Sequence, residues 1–250
     1  MISSVDIAIP VLNESGTLRE QILHLIKFLK LRGKPDIHYT ITIADNGSSD
    51  STLQIARKLA EDEKDVRVVS VGVPGVGLAL KKAWSSSNCE YVGYMDLDFS
   101  TDLLHLLDVQ ELLDKEFDCI FGSRLLPGSL VTGRTRKREI TSKCFNRLLK
   151  LSCQTSLSDG MCGFKFLKRE RVNQLFSFGA TSNGWFFCAE LTLAAQLAEL
   201  KIFELPVRWT DTSESKVKIP ALTLQYLRDI IMFKLKNKRN IRNGEINEFL

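Results

Sequence analysis

The chain predicts an α/β fold built on a mostly parallel sheet, and three observations carry that expectation. Short β-branched runs alternate with longer amphipathic stretches from Val5 to Gly122, the rhythm of βαβ units. Helix start signals fall where the runs break, at Ser49 or Asp50 and after Gly75. Polar residues gather at the carboxyl ends of the apolar runs, which is where such sheets bind ligands.

Strands are expected over Val5–Pro10, Tyr39–Ala44, Val66–Val71, Tyr91–Met95 and Cys119–Gly122. The helices between them are expected over Glu14–Leu31, Asp50–Glu61, Val76–Ser86 and Leu103–Leu113. From Leu125 the alternation lapses into a loop rich in Gly, Pro, Thr and Arg. A helix over Glu139–Leu151, the apolar segment Met161–Phe166, a long helix over Trp185–Leu200 and a strand over Ile202–Trp209 follow. A polar loop then leads to an amphipathic helix near Ala221–Lys236, with Leu224, Leu227, Ile231 and Leu235 on one face.

Composition narrows the class. With 44% apolar and 26% charged residues the chain is an ordinary globular protein and not a disordered one. Its net charge of +4 is too small for the dense basic face of a nucleic-acid binder, so no nucleic-acid partner is expected. The six cysteines form no C-x-x-C pair, which points away from zinc and disulfides and toward a reducing compartment. No signal-peptide pattern opens the chain, and no apolar run approaches the ~20 residues needed to span a bilayer. The expected location is the cytoplasm, including the surface of a membrane.

Asp96 and Asp98 are the sharpest chemical feature. Side chains two apart on an extended segment point the same way, so a strand end delivers both carboxylates to one side of a site. Hard oxygen ligands in that arrangement suit Mg²⁺ or Mn²⁺ bridging a nucleotide diphosphate. An isolated D-x-D arises by chance in many proteins, but here an apolar strand precedes it and the acidic strand ends at Glu14 and Asp45 accompany it. Asp45 is suited to accept hydrogen bonds from a base or ribose. Gly72, Gly75 and Gly77 lead into a helix whose first amides are expected to face phosphate. Their order is neither G-x-G-x-x-G nor a P-loop, which sets dinucleotide and P-loop chemistry aside.

Four segments in fixed order, Ile9-Pro10-Val11-Leu12-Asn13-Glu14, Ala44 to Asp50, Met95 to Asp98 and Phe121-Gly122-Ser123-Arg124, resemble family 2 glycosyltransferases of the GT-A fold. Arg138 to Ser142, Asp159 to Lys165, Gly184 to Phe187 with Glu190, and Pro206 to Trp209 with Ser215-Lys216-Val217 resemble the dolichol-phosphate mannose/glucose synthase branch. The resemblance implies a glycosyltransferase domain over 1–220, with a nucleotide-sugar half (1–124) and an acceptor half (125–220), and a helix with a basic tail over 221–250. It implies that Pro10, Asn13, Glu14 and Asp45 surround the nucleoside and that Asp96 and Asp98 hold Mg²⁺ or Mn²⁺ with the diphosphate. It also implies that Arg124, Arg138, Ser142 and Lys216 face phosphates of donor and acceptor. Glu190 stands as either a base or a site-orienting residue. The chain departs from the family pattern at Val76, Ser100, Cys188 and Thr212.

The function implied is inverting transfer of a hexose from a GDP-mannose- or UDP-glucose-type donor to a polyprenyl phosphate at a membrane surface. A soluble hydroxyl acceptor, and a non-catalytic nucleotide-sugar binder, remain as alternatives.

Overall fold

The computed structural model describes residues 3–113, 115–211 and 219–242, of which 219–224 and 238–242 are backbone only. In chain order the first half comprises β1 (Ser3–Val11), α1 (Leu18–Arg32), β2 (Ile37–Asp45), α2 (Thr52–Asp62), β3 (Val66–Ser70), α3 (Val76–Ser85), β4 (Tyr91–Met95), α4 (His105–Leu113) and β5 (Cys119–Ser123). The second half comprises β6 (Leu130–Thr132), α5 (Arg136–Cys153), β7 (Phe164–Lys168), α6 (Val172–Ser177), α7 (Phe187–Leu197), β8 (Ile202–Pro206), β9 (Arg208–Thr210) and α8 (Ile219–Arg242).

Seven described strands form one sheet in the order β3-β2-β1-β4-β7-β5-β8, and β6 pairs with β9 in a second, small one. The large sheet is parallel except for β7, which runs antiparallel between β4 and β5. That insertion depends on a glycine, because a Cβ on Gly93 would strike the Phe166 ring opposite it.

Strand alternation sorts the side chains into two layers. Val5, Ile7, Ile9 and Val11 of β1 pack with α1, α2 and α4 on one face. Ala8 joins α3, α6 and α7 on the other. Helix α1 buries Leu18, Ile22, Leu25, Ile26 and Leu29, the spacing of a single helical stripe. A third cluster joins Leu149 and Cys153 of α5 and Leu193 of α7 to Ile230 and Phe233 of α8.

Several boundaries differ from expectation for local reasons. Helix α1 begins at Leu18 and not Glu14, because Glu14 closes a turn whose carbonyl accepts the N–H groups of Thr17 (3.1 Å) and Leu18 (2.9 Å). The strand expected over Ile202–Trp209 is two strands. Val207 donates its N–H to the Ser123 carbonyl (3.0 Å), after which β9 leaves the main sheet to join β6. Helix α7 starts at Phe187, and the residues before it form a fastened loop. Strand β6 and helix α6 have no counterpart in the sequence-based expectation.

Candidate active site

The carboxyl ends of β1 and β2 are laced together. Asn13, with a left-handed φ of 56°, donates its N–H to Ser48 Oγ (3.0 Å), and its Oδ1 accepts the Ser49 N–H (2.8 Å). The Glu14 N–H meets Thr52 Oγ1 (2.8 Å). Buried Asp45 accepts the Ser48 N–H (3.1 Å) and the Ser70 hydroxyl (2.7 Å). Pro10 and Ala44 lie opposite each other in the strand register, so Pro10, Asn13, Glu14 and Asp45 share one edge. The amides of α3, expected to face phosphate, are partly consumed. Gly75 N–H goes to Asn46 Oδ1 and Leu78 N–H to the Asn183 carbonyl (3.2 Å), so two donors of that end serve the protein.

Strand β4 stops at Met95, so Asp96 and Asp98 occupy a turn and not the extended segment anticipated. The turn is closed by Asp98, which accepts the Ser100 N–H (2.9 Å) and hydroxyl (2.8 Å), while Phe99 adopts a φ of 50°. Asp98 is exposed and Asp96 half-buried. Burial and the neighbouring charge of Asp98 push the Asp96 carboxyl up to about 7, against the pull of Arg124. Gly163 backs this group, and a Cβ there would collide with the Asp96 carboxylate. Two crowded carboxylates that repel each other fit a hard divalent cation, which would relieve the repulsion. Among the described residues no cluster of three or more His, Cys, Asp or Glu forms a complete metal site. A groove of about 500 Å³ borders the turn on its α1 side, lined in part by His24, Phe28, Ser100 and Trp209, and contains neither carboxylate.

The second half brings cations toward this turn. Arg124 forms a two-pronged pair with Asp159 (2.7 and 2.9 Å) and lies 4.8 Å over the Trp209 ring. Burial pushes the Asp159 carboxyl up, but Arg124 more than offsets it and holds it at about 2. Arg124 was expected to face phosphate directly; its guanidinium is instead mostly enclosed and acts on Asp96 through space. Trp209 donates its indole N–H to Asp211 (2.8 Å), and Asp211 holds Arg134 tightly (2.6 Å) and Arg138 loosely (3.7 Å). Arg138 thus remains the more available arginine, one turn from half-buried Ser142 on α5. Lys216 lies outside the described residues.

Glu190 is buried and its two oxygens accept the Thr181 N–H (2.8 Å), the Ser182 N–H (2.6 Å) and the Ser182 hydroxyl (2.7 Å). Burial raises its pKa, with those hydrogen bonds pulling the other way. Sequence reasoning assigned no role to Asp159, Gly163, Trp209 or Asp211. Asp159, Gly163 and Trp209 lie in the quoted motifs and Asp211 lies two residues beyond one, and their shared signal is invisible until β7 and β9 bring the segments together.

The sequence model of Glycosyl transferase family 2 matches residues 6–176. Glycosyltransferase AglD of Haloferax volcanii is 31% identical over 217 residues, 86% of this chain and 34% of that protein. Dolichyl-phosphate beta-glucosyltransferases of Dictyostelium discoideum and Homo sapiens are each 27% identical over 93% of this chain, and the match covers 74% and 75% of their lengths. The chain thus spans about a third of the first relative and three quarters of the other two. Glucosyl-3-phosphoglycerate synthase of Mycobacterium tuberculosis, solved with Mn²⁺, uridine diphosphate and phosphoglyceric acid, superposes with a TM-score of 0.65 at 16% identity, covering 94% of this chain and 78% of that one. The likeness extends to the fold, which is GT-A. With a family pattern running from β1 through α6 and polyprenyl-phosphate enzymes among its relatives, the chain belongs to glycosyl transferase family 2 and is a glycosyltransferase.

Proposed function

We propose that the protein transfers a hexose, with inversion, from a nucleoside-diphosphate sugar to a polyprenyl phosphate, with UDP-glucose ahead of GDP-mannose as donor. The observation that carries this reading is the opposed demand for charge on two segments joined by the hydrogen bond from the Thr210 N–H to the Ser100 carbonyl (2.8 Å). Asp96 and Asp98 crowd together and call for a cation, while Arg138 beside Ser142 is free enough to call for an anion. The names of the dolichyl-phosphate relatives support the acceptor class and the glucosyl group.

In this reading Pro10, Asn13, Glu14 and Asp45 receive the nucleoside, and Asp96 and Asp98 hold Mg²⁺ or Mn²⁺. The ion supplies neutralisation of the charge that builds on the departing diphosphate. An acceptor phosphate is already anionic at neutral pH. Its oxygen forms a bond to the anomeric carbon while the bond from that carbon to the diphosphate breaks, and the nucleoside diphosphate leaves with the electron pair. Arg138 and Ser142 orient the acceptor, and Arg124, fixed by Asp159, tempers the negative charge at Asp96 from behind. No base is required, in keeping with a Glu190 carboxylate already engaged in three hydrogen bonds.

Contact with a membrane belongs to the same reading. No described helix is long and apolar enough to cross a bilayer. Helix α8 turns Ile230 and Phe233 inward and leaves Leu227, Ile231 and Leu235 exposed, beside exposed Arg228 and Lys234. That outer stripe is suited to lie at an anionic surface.

A donor and acceptor panel tests the assignment. With Mn²⁺, UDP-glucose and a short polyprenyl phosphate, the purified protein should form a glucosyl-phosphoryl lipid, and chelation should abolish it. Transfer confined to a soluble hydroxyl acceptor, or full activity in EDTA, overturns it.

A further inference from the structure

Residues 181–186, between α6 and α7, form a heavily fastened loop at the sheet's carboxyl edge. Glu190 holds Thr181 and Ser182 through three hydrogen bonds. Lys81 donates to the Thr181 carbonyl (2.5 Å) and to Asn183 Oδ1 (2.8 Å), and Lys236 donates to Thr181 Oγ1 (3.0 Å). The Asn183 carbonyl takes the Leu78 N–H, and α3 approaches so closely that a Cβ on Gly77 would strike the Ser182 carbonyl and Phe187.

This rigid loop displays one large apolar group. Trp185 is 50% exposed, although Phe186 and Phe187 beside it are 1% exposed and the two other tryptophans, Trp84 and Trp209, are 1% and 7% exposed. An indole left half in water forgoes much of the burial its size offers, and a fixed loop adds no ordering cost when a ligand covers it. The position is also informative. Asn183 packs on Gly75, whose N–H is bonded to Asn46, the neighbour of Asp45. Trp185 follows two residues later, so its Cα lies at most about 7.6 Å from that of Asn183.

We propose that Trp185 is the platform on which the hexose of the donor rests. The inference depends on the donor chemistry proposed above. In that assignment the nucleoside, the diphosphate and the acceptor phosphate each have partners, and the hexose has none. A pyranose presents a face of C–H bonds carrying partial positive charge, which suits the negative face of an indole. Such a contact distinguishes a sugar nucleotide from the bare nucleotide.

Calorimetry and intrinsic fluorescence test it on the full chain with Mn²⁺, with UDP, UDP-glucose and GDP-mannose as probes. Because Trp84 and Trp209 are buried, the long-wavelength emission belongs to Trp185. The sugar nucleotide should shift that emission to the blue and UDP alone should not. Trp185→Leu should weaken sugar-nucleotide binding roughly fivefold to tenfold and leave UDP within about twofold, while Trp185→Phe keeps most of the affinity. Equal loss for UDP and UDP-glucose, or emission indifferent to both sugar nucleotides while they bind, overturns the platform. A blue shift on anionic phosphatidylserine vesicles without nucleotide, and none with sugar nucleotide, assigns Trp185 to a membrane instead. If the wild type binds none of the three probes, the donor reading fails and the platform falls with it.

Discussion

Asp96 is a carboxylate whose environment works against its own charge. Its carboxyl lies near 7 in the fold and near ~4 in an unfolded chain, so the metal-free fold holds that proton more tightly. The stability this gives is present at low pH and is lost as pH rises from about 4 to about 7. Asp96→Asn should therefore raise Tm at pH 8 more than at pH 5. Mn²⁺ should stabilise the wild type and not the variant, and its affinity for the wild type should fall by up to about tenfold per pH unit below 7. Equal stabilisation of both proteins by Mn²⁺ would remove Asp96 from the metal site. Glu190 gives a second test at the same scale. A Gln side chain keeps one carbonyl oxygen for donors that now use two, so Glu190→Gln should lower Tm while reducing kcat by less than about tenfold. A loss of about a hundredfold or more with unchanged Tm would identify a general base. The aspartates were legible as a D-x-D because the residue types alone declare hard-ligand chemistry. The engagement of Glu190 was not, since its partners Thr181 and Ser182 precede it by eight or nine residues in a loop that no periodicity marks.

At the scale of elements, α8 has two apolar faces with different jobs. Phe233 is nearly fully buried against the body, close to Gly179, and Phe233→Ala should cost about 3–5 kcal/mol in chemical denaturation. Replacing Leu227, Ile231 and Leu235 together with Ser should leave the denaturation midpoint almost unchanged and release the protein from anionic vesicles. Retention of the triple variant on vesicles would show that another surface binds. Of the four residues the sequence placed on one stripe, Leu227, Ile231 and Leu235 are exposed together because helical spacing is a local property, and the side chain of Leu224 lies outside the described residues. It said nothing of the inner stripe's partners, since Phe145 of α5 and Phe186 meet Tyr226 only through tertiary packing. The same contrast explains the strands. Strands β1 to β5 announce themselves through β-branched runs, whereas β6 and β9 are three residues each and exist because they pair with one another.

For the whole molecule, the decisive feature is that the sheet is not assembled in chain order. Strand β7, from the second half, fills the gap between β4 and β5 of the first, and the Asp96 turn leans on Gly163 just before it. Residues 1–124 alone should therefore fail to give dispersed amide resonances or a cooperative melt, whereas residues 1–242 should do both. A cooperative fold from 1–124 would mean that the nucleotide half is autonomous. The same arrangement has a consequence for synthesis. A ribosome adding about 5–20 residues each second delivers β5 some seconds before β7. For that interval β4 has an unpaired edge and the acidic turn has no floor. The nascent chain is thus exposed to wrong strand partners for as long as it takes to translate the loop and helix between Arg124 and Gly163, and the pace of translation across that stretch becomes part of how reliably the protein is made.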